Sequence, residues 1–329
     1  MAVLVPNTNN YGLTDVVAAV EDHAGELPGA DGLDGCFDYS IEGYFDPDYN
    51  NNSYAPANSL KRFRNYGPKC WLSYIDYLES FNLGYNPRGV YIRPDGAKMF
   101  VVSAAPDSKI YSYELSVPWD LSTMSLYDTY QLFNSSHNYA GIYVEPNGYH
   151  FFIIDQTNSE LLEFDMLTFW SLISPLNIKT ISIQDGAIGI DFNPDGSSFV
   201  ITSNDTVPIY PRIYQYNLST SWDIDTASVY TYWNIGYNRP LTELRFSKNG
   251  ERLFFLVQTT NLIVQIGLQE NYNLSQGKAF DCNKFYSDTI DSAIYGIYIR
   301  DTEDDSLDLF ITGDENNRLY HAKVSYNII

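Results

Sequence analysis

A unit of roughly fifty residues recurs along this chain, and a period of that length restricts the fold more than any other feature. The first copy reads Arg88-Gly89-Val90-Tyr91-Ile92-Arg93-Pro94-Asp95-Gly96-Ala97-Lys98-Met99-Phe100-Val101-Val102, followed by Ile110-Tyr111-Ser112-Tyr113-Glu114-Leu115-Ser116. This is strand, tight turn, strand, loop, strand: Pro fixes φ, Asp caps the turn and Gly accepts positive φ. The order returns at 141–165, 189–219 and 244–268, with turn glycines Gly96, Gly148, Gly196 and Gly250 spaced 52, 48 and 54 apart. A fifth, weaker copy covers 296–322. Further strand-like stretches at 127–133, 178–183 and 229–233 make each unit a four-stranded meander.

Four-stranded meanders at this period are the signature of a β-propeller, in which each blade buries its faces on its neighbours and the ring closes. The expected fold is therefore all-β, a five-bladed β-propeller over residues 71–329. The last unit ends after its third strand, and residues 71–81 are expected to complete it and lock the ring. A sixth blade would have to lie in residues 20–70, which have too little strand character.

Residues 1–70 form a separate, irregular segment. Residues 1–60 hold ten acidic side chains and no Lys or Arg, after which Lys61, Arg62, Arg64 and Lys69 cluster. One short helix is expected over 14–24, with Thr14 or Asp15 as cap and Val16, Val17 and Val20 as its apolar stripe. Seventy residues with one short helix make a poor core, so this segment is expected to be stabilised by packing on another surface.

Charge excludes some functions. The chain has 41 Asp plus Glu against 19 Lys plus Arg, a net charge of −22. Nucleic-acid affinity rests on Lys and Arg displacing counterions, so DNA or RNA binding is not expected. The N-terminal residues lack the basic and apolar regions of a signal peptide, and no apolar run approaches bilayer-spanning length; no export by that route and no membrane insertion are expected. Cys36, Cys70 and Cys282 are odd in number and widely spaced, which suits buried thiols better than a disulfide framework or zinc site.

No Walker loop, nucleophile elbow or dinucleotide fingerprint occurs. Trp119 and Trp222 lie in a shared Leu-Ser-x-x-Trp-Asp motif (115–120 and 218–223), either as aromatic plugs beneath a loop or as glycan-stacking rings. Asp301, Asp304 and Asp305 belong to an acidic run that reads as a calcium site or as a solvated hairpin tip. The four histidines are expected to be structural. No cofactor is expected. Axial Asp or Glu pairs brought together by a propeller remain the route by which it could hydrolyse glycosides.

The N-terminal residues also carry a resemblance. Leu13-Thr14-Asp15-Val16-Val17, Cys36-Phe37, Phe45-Asp46-Pro47-Asp48-Tyr49 and Asn58-Ser59-Leu60-Lys61-Arg62-Phe63-Arg64-Asn65-Tyr66-Gly67, in this order, resemble a segment at the start of many virion proteins of tailed phages, especially crAss-like phages. The repeats resemble propellers of phage and some bacterial surface proteins. The resemblance implies an attachment module over 1–70, with Val16, Val17, Phe37, Phe45, Tyr49, Leu60, Arg62, Phe63, Arg64 and Tyr66 as partner-binding residues. It implies a structural tail or tail-fibre protein, assembled in the host cytoplasm and located in the virion. Its partners would be other virion proteins and a host-surface glycan or protein receptor. It assigns no chemistry to any residue. A polysaccharide-degrading enzyme on the same scaffold and a cytoplasmic protein-interaction propeller are the alternatives.

Overall fold

The computed structural model describes residues 70–72, 75–204, 211–235, 239–258, 262–286, 291, 293–302 and 306–325. The chain divides into two compact units, Met1–Leu72 with Ala279–Lys284, and Ser73–Lys278 with Phe285–Ile329. In the first, the described structure is a parallel pairing of β1 (Cys70–Leu72), with Cys70 opposite Cys282.

The second unit is a five-bladed β-propeller of antiparallel meanders. Its closing strand is β2 (Ile75–Asn82). Blade one is β3 (Pro87–Ile92), β4 (Lys98–Ser103), β5 (Lys109–Leu115) and β6 (Met124–Gln131). Blade two is β7 (Tyr139–Val144), β8 (His150–Asp155), β9 (Glu160–Asp165) and β10 (Leu176–Ser182). Blade three is β11 (Ala187–Phe192), β12 (Ser198–Ser203), β13 (Arg212–Leu218) and β14 (Ala227–Asn234). Blade four is β15 (Leu241–Phe246), β16 (Arg252–Val257), β17 (Leu262–Glu270) and β18 (Asn273–Tyr286). Blade five is β19 (Ile294–Asp301), β20 (Ser306–Gly313) and β21 (Arg318–Ser325), with β2 outermost.

The closing strand starts later than the sequence places it. Ile75 pairs with Val324 and Asn82 with Arg318, whereas Trp71 and Leu72 pair with Asn283 and Lys284. Among the described residues the ladder between β2 and β21 runs from Ile75 to Asn82.

Each repeat turn closes as its residues dictate. The Gly96 N–H donates to the Arg93 carbonyl at 2.7 Å, and the Asp95 carboxylate accepts from the Ala97 N–H at 3.0 Å. The same pair of bonds recurs around Gly148, Gly196 and Gly250, with Asn147, Asp195 and Asn249 as the capping side chains. Gly96 has φ of +75°, and an added Cβ would run into the Trp119 indole, so the position requires glycine twice over. The indoles of Trp119, Trp170 and Trp222 each lie against the turn glycine of their own blade, and the backbone N–H of each donates to that glycine's carbonyl. Tyr272 takes the same place over Gly250 in blade four.

These rings also reach the preceding blade. Trp170 stacks near Tyr91 of blade one at 6.4 Å, Trp222 near Tyr143 of blade two at 6.1 Å and Trp119 near Tyr298 of blade five at 6.2 Å. Polar contacts run in the opposite direction, to the following blade. The Gln215 side chain donates to the Tyr272 carbonyl at 3.0 Å and accepts from the Leu274 N–H at 2.8 Å. Lys179 bridges Glu163 at 3.8 Å to Asp223 of the next blade at 2.7 Å. His321 pairs with Glu79 at 3.2 Å, and Glu79 accepts the Leu121 N–H of blade one at 2.9 Å.

The outer strands of blades one, two, three and five each carry a bulge, at Tyr127, Ile178, Tyr230 and Leu78. A bulge leaves one residue out of the ladder, and here that residue is exposed in all four strands.

Blade five joins blade one through Thr312, whose hydroxyl accepts from the Gly296 N–H at 2.7 Å and donates to the Arg88 carbonyl at 2.6 Å. Thr312→Val keeps the shape and strands both buried backbone groups. It is expected to lower stability by about 1–3 kcal/mol, read as a lower urea midpoint at unchanged slope.

Candidate functional site

The innermost strands β3, β7, β11, β15 and β19 share one plan. Each has a register shift near its start, between Pro87 and Val90, Ala140 and Ile142, Ala187 and Ile190, Leu241 and Leu244, and Ile294 and Ile297. Aligning the copies on this shift puts Gly89, Gly141, Gly189, Glu243 and Gly296 in one column. Two residues on, a second column holds Tyr91, Tyr143, Asp191, Arg245 and Tyr298. In the first column glycine lets adjacent inner strands touch: a Cβ on Gly189 would stand 2.6 Å from the Thr242 carbonyl oxygen. The second column converges on the axis.

Arg245 occupies the centre and is 3% exposed. Its Nε donates to the Ile297 carbonyl at 3.1 Å, and its Nη2 donates to the Val90 and Ile142 carbonyls, both at 2.9 Å. Its Nη1 donates to the Ile190 carbonyl. A single side chain of blade four therefore binds the inner strands of the other four blades. Asp191 lies 3.6 Å from Nη1 and Glu243 lies 3.8 Å from Nη2. Asp191 also accepts the Phe246 N–H at 2.7 Å, and Glu243 accepts the Ile190 N–H at 3.0 Å, each joining blades three and four.

Burial is the dominant electrostatic influence on both acids. It pushes Asp191 up to about 6 and Glu243 up to about 7, against the pull of Arg245 in the other direction. Burial alone would lower Arg245, but Glu243 and Asp191 outweigh it and its pKa is raised. Tyr91, Tyr143 and Tyr298 are also raised by burial, so their hydroxyls stay protonated.

Above this hub opens a funnel of about 460 Å³. Its inner wall carries Tyr91, Tyr143 and Tyr298, packed edge to face, with Tyr91 5.4 Å from Tyr143 and 5.6 Å from Tyr298. Tyr91 and Tyr143 are 5% and 7% exposed. None of the three hydroxyls has a hydrogen-bond partner among the described residues. The lip is built from the repeat turns, with Pro94, Pro146 and Pro194 at equivalent points. Where the repeat departs from Pro-Asp-Gly, the lip instead carries Lys248 in blade four and Arg300 and Asp301 in blade five.

Of the residues singled out in the sequence, Trp119 lines the funnel, but Gly96 lies against its ring and the Arg300 guanidinium sits over it at 4.5 Å. Trp222 lies against Gly196 and stacks near Phe192 at 5.5 Å. Both indoles are engaged by partners within the protein. Asp301 accepts the Lys248 N–H at 2.7 Å, which ties blade five to blade four. Asp304 and Asp305 lie outside the described residues, as do Val16, Val17, Phe37, Phe45, Tyr49, Leu60, Arg62, Phe63, Arg64, Tyr66 and the expected helix. Among the described residues no group of three or more His, Cys, Asp or Glu is placed to hold a metal ion. His137, His150 and His321 each pair with a carboxylate, Asp155 at 2.7 Å, Glu163 at 3.0 Å and Glu79 at 3.2 Å.

No family model matches the chain, and no curated protein matches it. Solved structures similar to it include a functionally unknown protein from Desulfotomaculum acetoxidans, at 15% identity over 73% of this chain and 69% of that one, with a TM-score of 0.41. A Bacteroides fragilis protein provisionally named a 6-phosphogluconolactonase is 14% identical over 61% of this chain and 55% of its own, with a TM-score of 0.44. The β-propeller domain of Myceliophteria thermophila Cps50 (Swd1) is 9% identical over 75% of this chain and 99% of that domain, with a TM-score of 0.44.

The hub imposes a pH dependence. Glu243 titrates at about 7 in the folded chain against 4.5 ordinarily, so between these values the folded state binds a proton that the unfolded chain lacks. Stability must then fall as pH rises through that window, and Asp191 acts in the same direction. Glu243→Gln stays uncharged and keeps an acceptor for Ile190. It is expected to flatten the decline of melting temperature between about pH 5 and 8, measured by calorimetry.

Proposed function

We propose that this chain is a structural, non-catalytic component of a tailed-phage particle, a tail or tail-fibre protein held by residues 1–70. Its propeller acts as an adaptor or host-surface binding module. The observation that carries the non-catalytic part is the condition of the axial acids. Hydrolysis on this scaffold requires a carboxylic acid and a carboxylate that both reach the substrate. Glu243 is 1% exposed and contributes nothing to the funnel wall, and its carboxylate is held by Arg245 and by backbone N–H groups. Asp191 reaches the funnel but is tied to Phe246 and Arg245. Both acids hold the ring together.

What the funnel does present is a rigid wall of unpartnered hydroxyls, which suits recognition. The particle, the other virion proteins as partners and the virion as location rest on the resemblance of residues 13–67 to phage attachment segments. Deleting residues 1–67 is expected to abolish incorporation into particles, scored by mass spectrometry of purified virions made with each form. Normal incorporation of the truncated chain, or absence of the full chain from virions, would contradict the proposal. New reducing ends released from host capsular or wall glycans would favour the hydrolase instead.

A further inference from the structure

The funnel wall combines features that together select a ligand class. Tyr91 and Tyr143 are more than nine-tenths buried, yet their hydroxyls reach the funnel with no partner among the described residues. The rings are buried while the hydroxyl oxygens are not sealed off, so each is open to a ligand in the funnel. Tyr298 adds a third, from the blade on the other side of Tyr91. These hydroxyls project from inner strands whose spacing is fixed by Arg245, so the donors are arranged before any ligand arrives.

Charge narrows the class further. Three cations at or under the funnel, Arg245, Lys248 and Arg300, are matched by three carboxylates, Asp191, Glu243 and Asp301. Arg245 is enclosed by carbonyls, and Arg300 is paired with Asp308 at 3.0 Å. The ammonium of Lys248 has no ion pair among the described residues, but cations and carboxylates balance in number, so a net anion or cation meets no overall excess of opposite charge here. The lip prolines and Phe192 offer apolar surface for C–H groups beside the phenol donors. A ligand rich in hydroxyl oxygens, with C–H faces and no charge, satisfies both parts of the wall.

We propose that the axial funnel binds an uncharged saccharide, the terminal one or two sugars of a surface glycan, through the hydroxyls of Tyr91, Tyr143 and Tyr298. This rests on the binding-module reading above and names its ligand. Phosphate and choline are the charged alternatives, a phosphorylated polymer and a quaternary-ammonium decoration respectively.

The test uses the full chain on an array of bacterial cell-surface oligosaccharides, followed by saturation-transfer NMR with the neutral sugars retained, choline chloride and inorganic phosphate. The expected result is binding of at least one neutral oligosaccharide, with transfer from the protein to its terminal sugar and none to choline. Phosphate is expected to leave that binding unchanged at equal concentration. The double variant Tyr91→Phe/Tyr143→Phe keeps both rings and is expected to weaken saccharide binding at least tenfold at unchanged melting temperature. Absence of any neutral ligand on the array, binding of choline or phosphate in its place, or wild-type affinity in the double variant would each overturn the assignment. A chain found in virions that binds no glycan defeats this inference alone. A chain that binds glycan but is missing from virions defeats the particle assignment and leaves the funnel reading standing.

Discussion

Inner strands meeting at an axis aim the backbone carbonyls of Val90, Ile142, Ile190 and Ile297 at one buried point, and the guanidinium of Arg245 answers that constraint. Of the side chains, only arginine carries five N–H donors in one plane. Lysine could reach the centre but offers a compact charge, without the fork that spans several carbonyls at once. A buried cation then needs anions, which accounts for Asp191 in the axial column and for Glu243 in a column otherwise made of glycine. The hub is thus asymmetric by necessity: blade four supplies the donor and one acid, blade three the other acid, and blades one, two and five contribute tyrosines.

Outside the axis the blades are joined by a graded set of contacts. Nearest the turns of blades one, two and three, an indole bridges its own glycine and the blade before it. Further out, a buried polar residue of the third strand grips the cap of the blade after it, directly through Gln215 or by relay through Glu163 and Lys179. Blades two to three, three to four and five to one are joined in this way by side chains at the same position in successive copies, Glu163, Gln215 and His321. Tyr272 shows how the pattern tolerates substitution: it keeps the ring over the glycine and the N–H bond, although its copy has lost the Trp-Asp pair.

Much of the fold was legible because turn chemistry is local. Pro94-Asp95-Gly96 and its relatives specify their own hydrogen bonds, so the repeat and the five units could be read from residue order, whereas Trp119 and Trp222 stayed open between a plug beneath a loop and a glycan-stacking ring, and Trp170 lay outside their shared motif. The hub could not be read in the same way. Arg245 and Asp191 sit in strands where a charged residue ordinarily signals a solvated face, and only tertiary closure turns that face into the axis. The available signal was columnar: aligned copies give Tyr, Tyr, Asp, Arg, Tyr at one position and a lone Glu among glycines at another. The closing strand was legible in type but not in extent, since Trp71 and Leu72 pair with Asn283 and Lys284 instead. The lip of the funnel was visible only as the departures at Ser247-Lys248-Asn249-Gly250 and Arg300-Asp301, which weaken the repeat and mark the charged part of the site.

The bulges at Leu78, Tyr127, Ile178 and Tyr230 have a bearing on crowding. An outermost strand offers a free row of backbone donors and acceptors to any similar strand that drifts alongside, and a flat row recruits identical molecules into continuous sheets. An extra residue in mid-strand twists that row and throws an identical partner out of step after a few bonds. Many copies at high local concentration can then stand side by side at their rims without fusing into aggregates, leaving neighbour contacts to be decided by side chains.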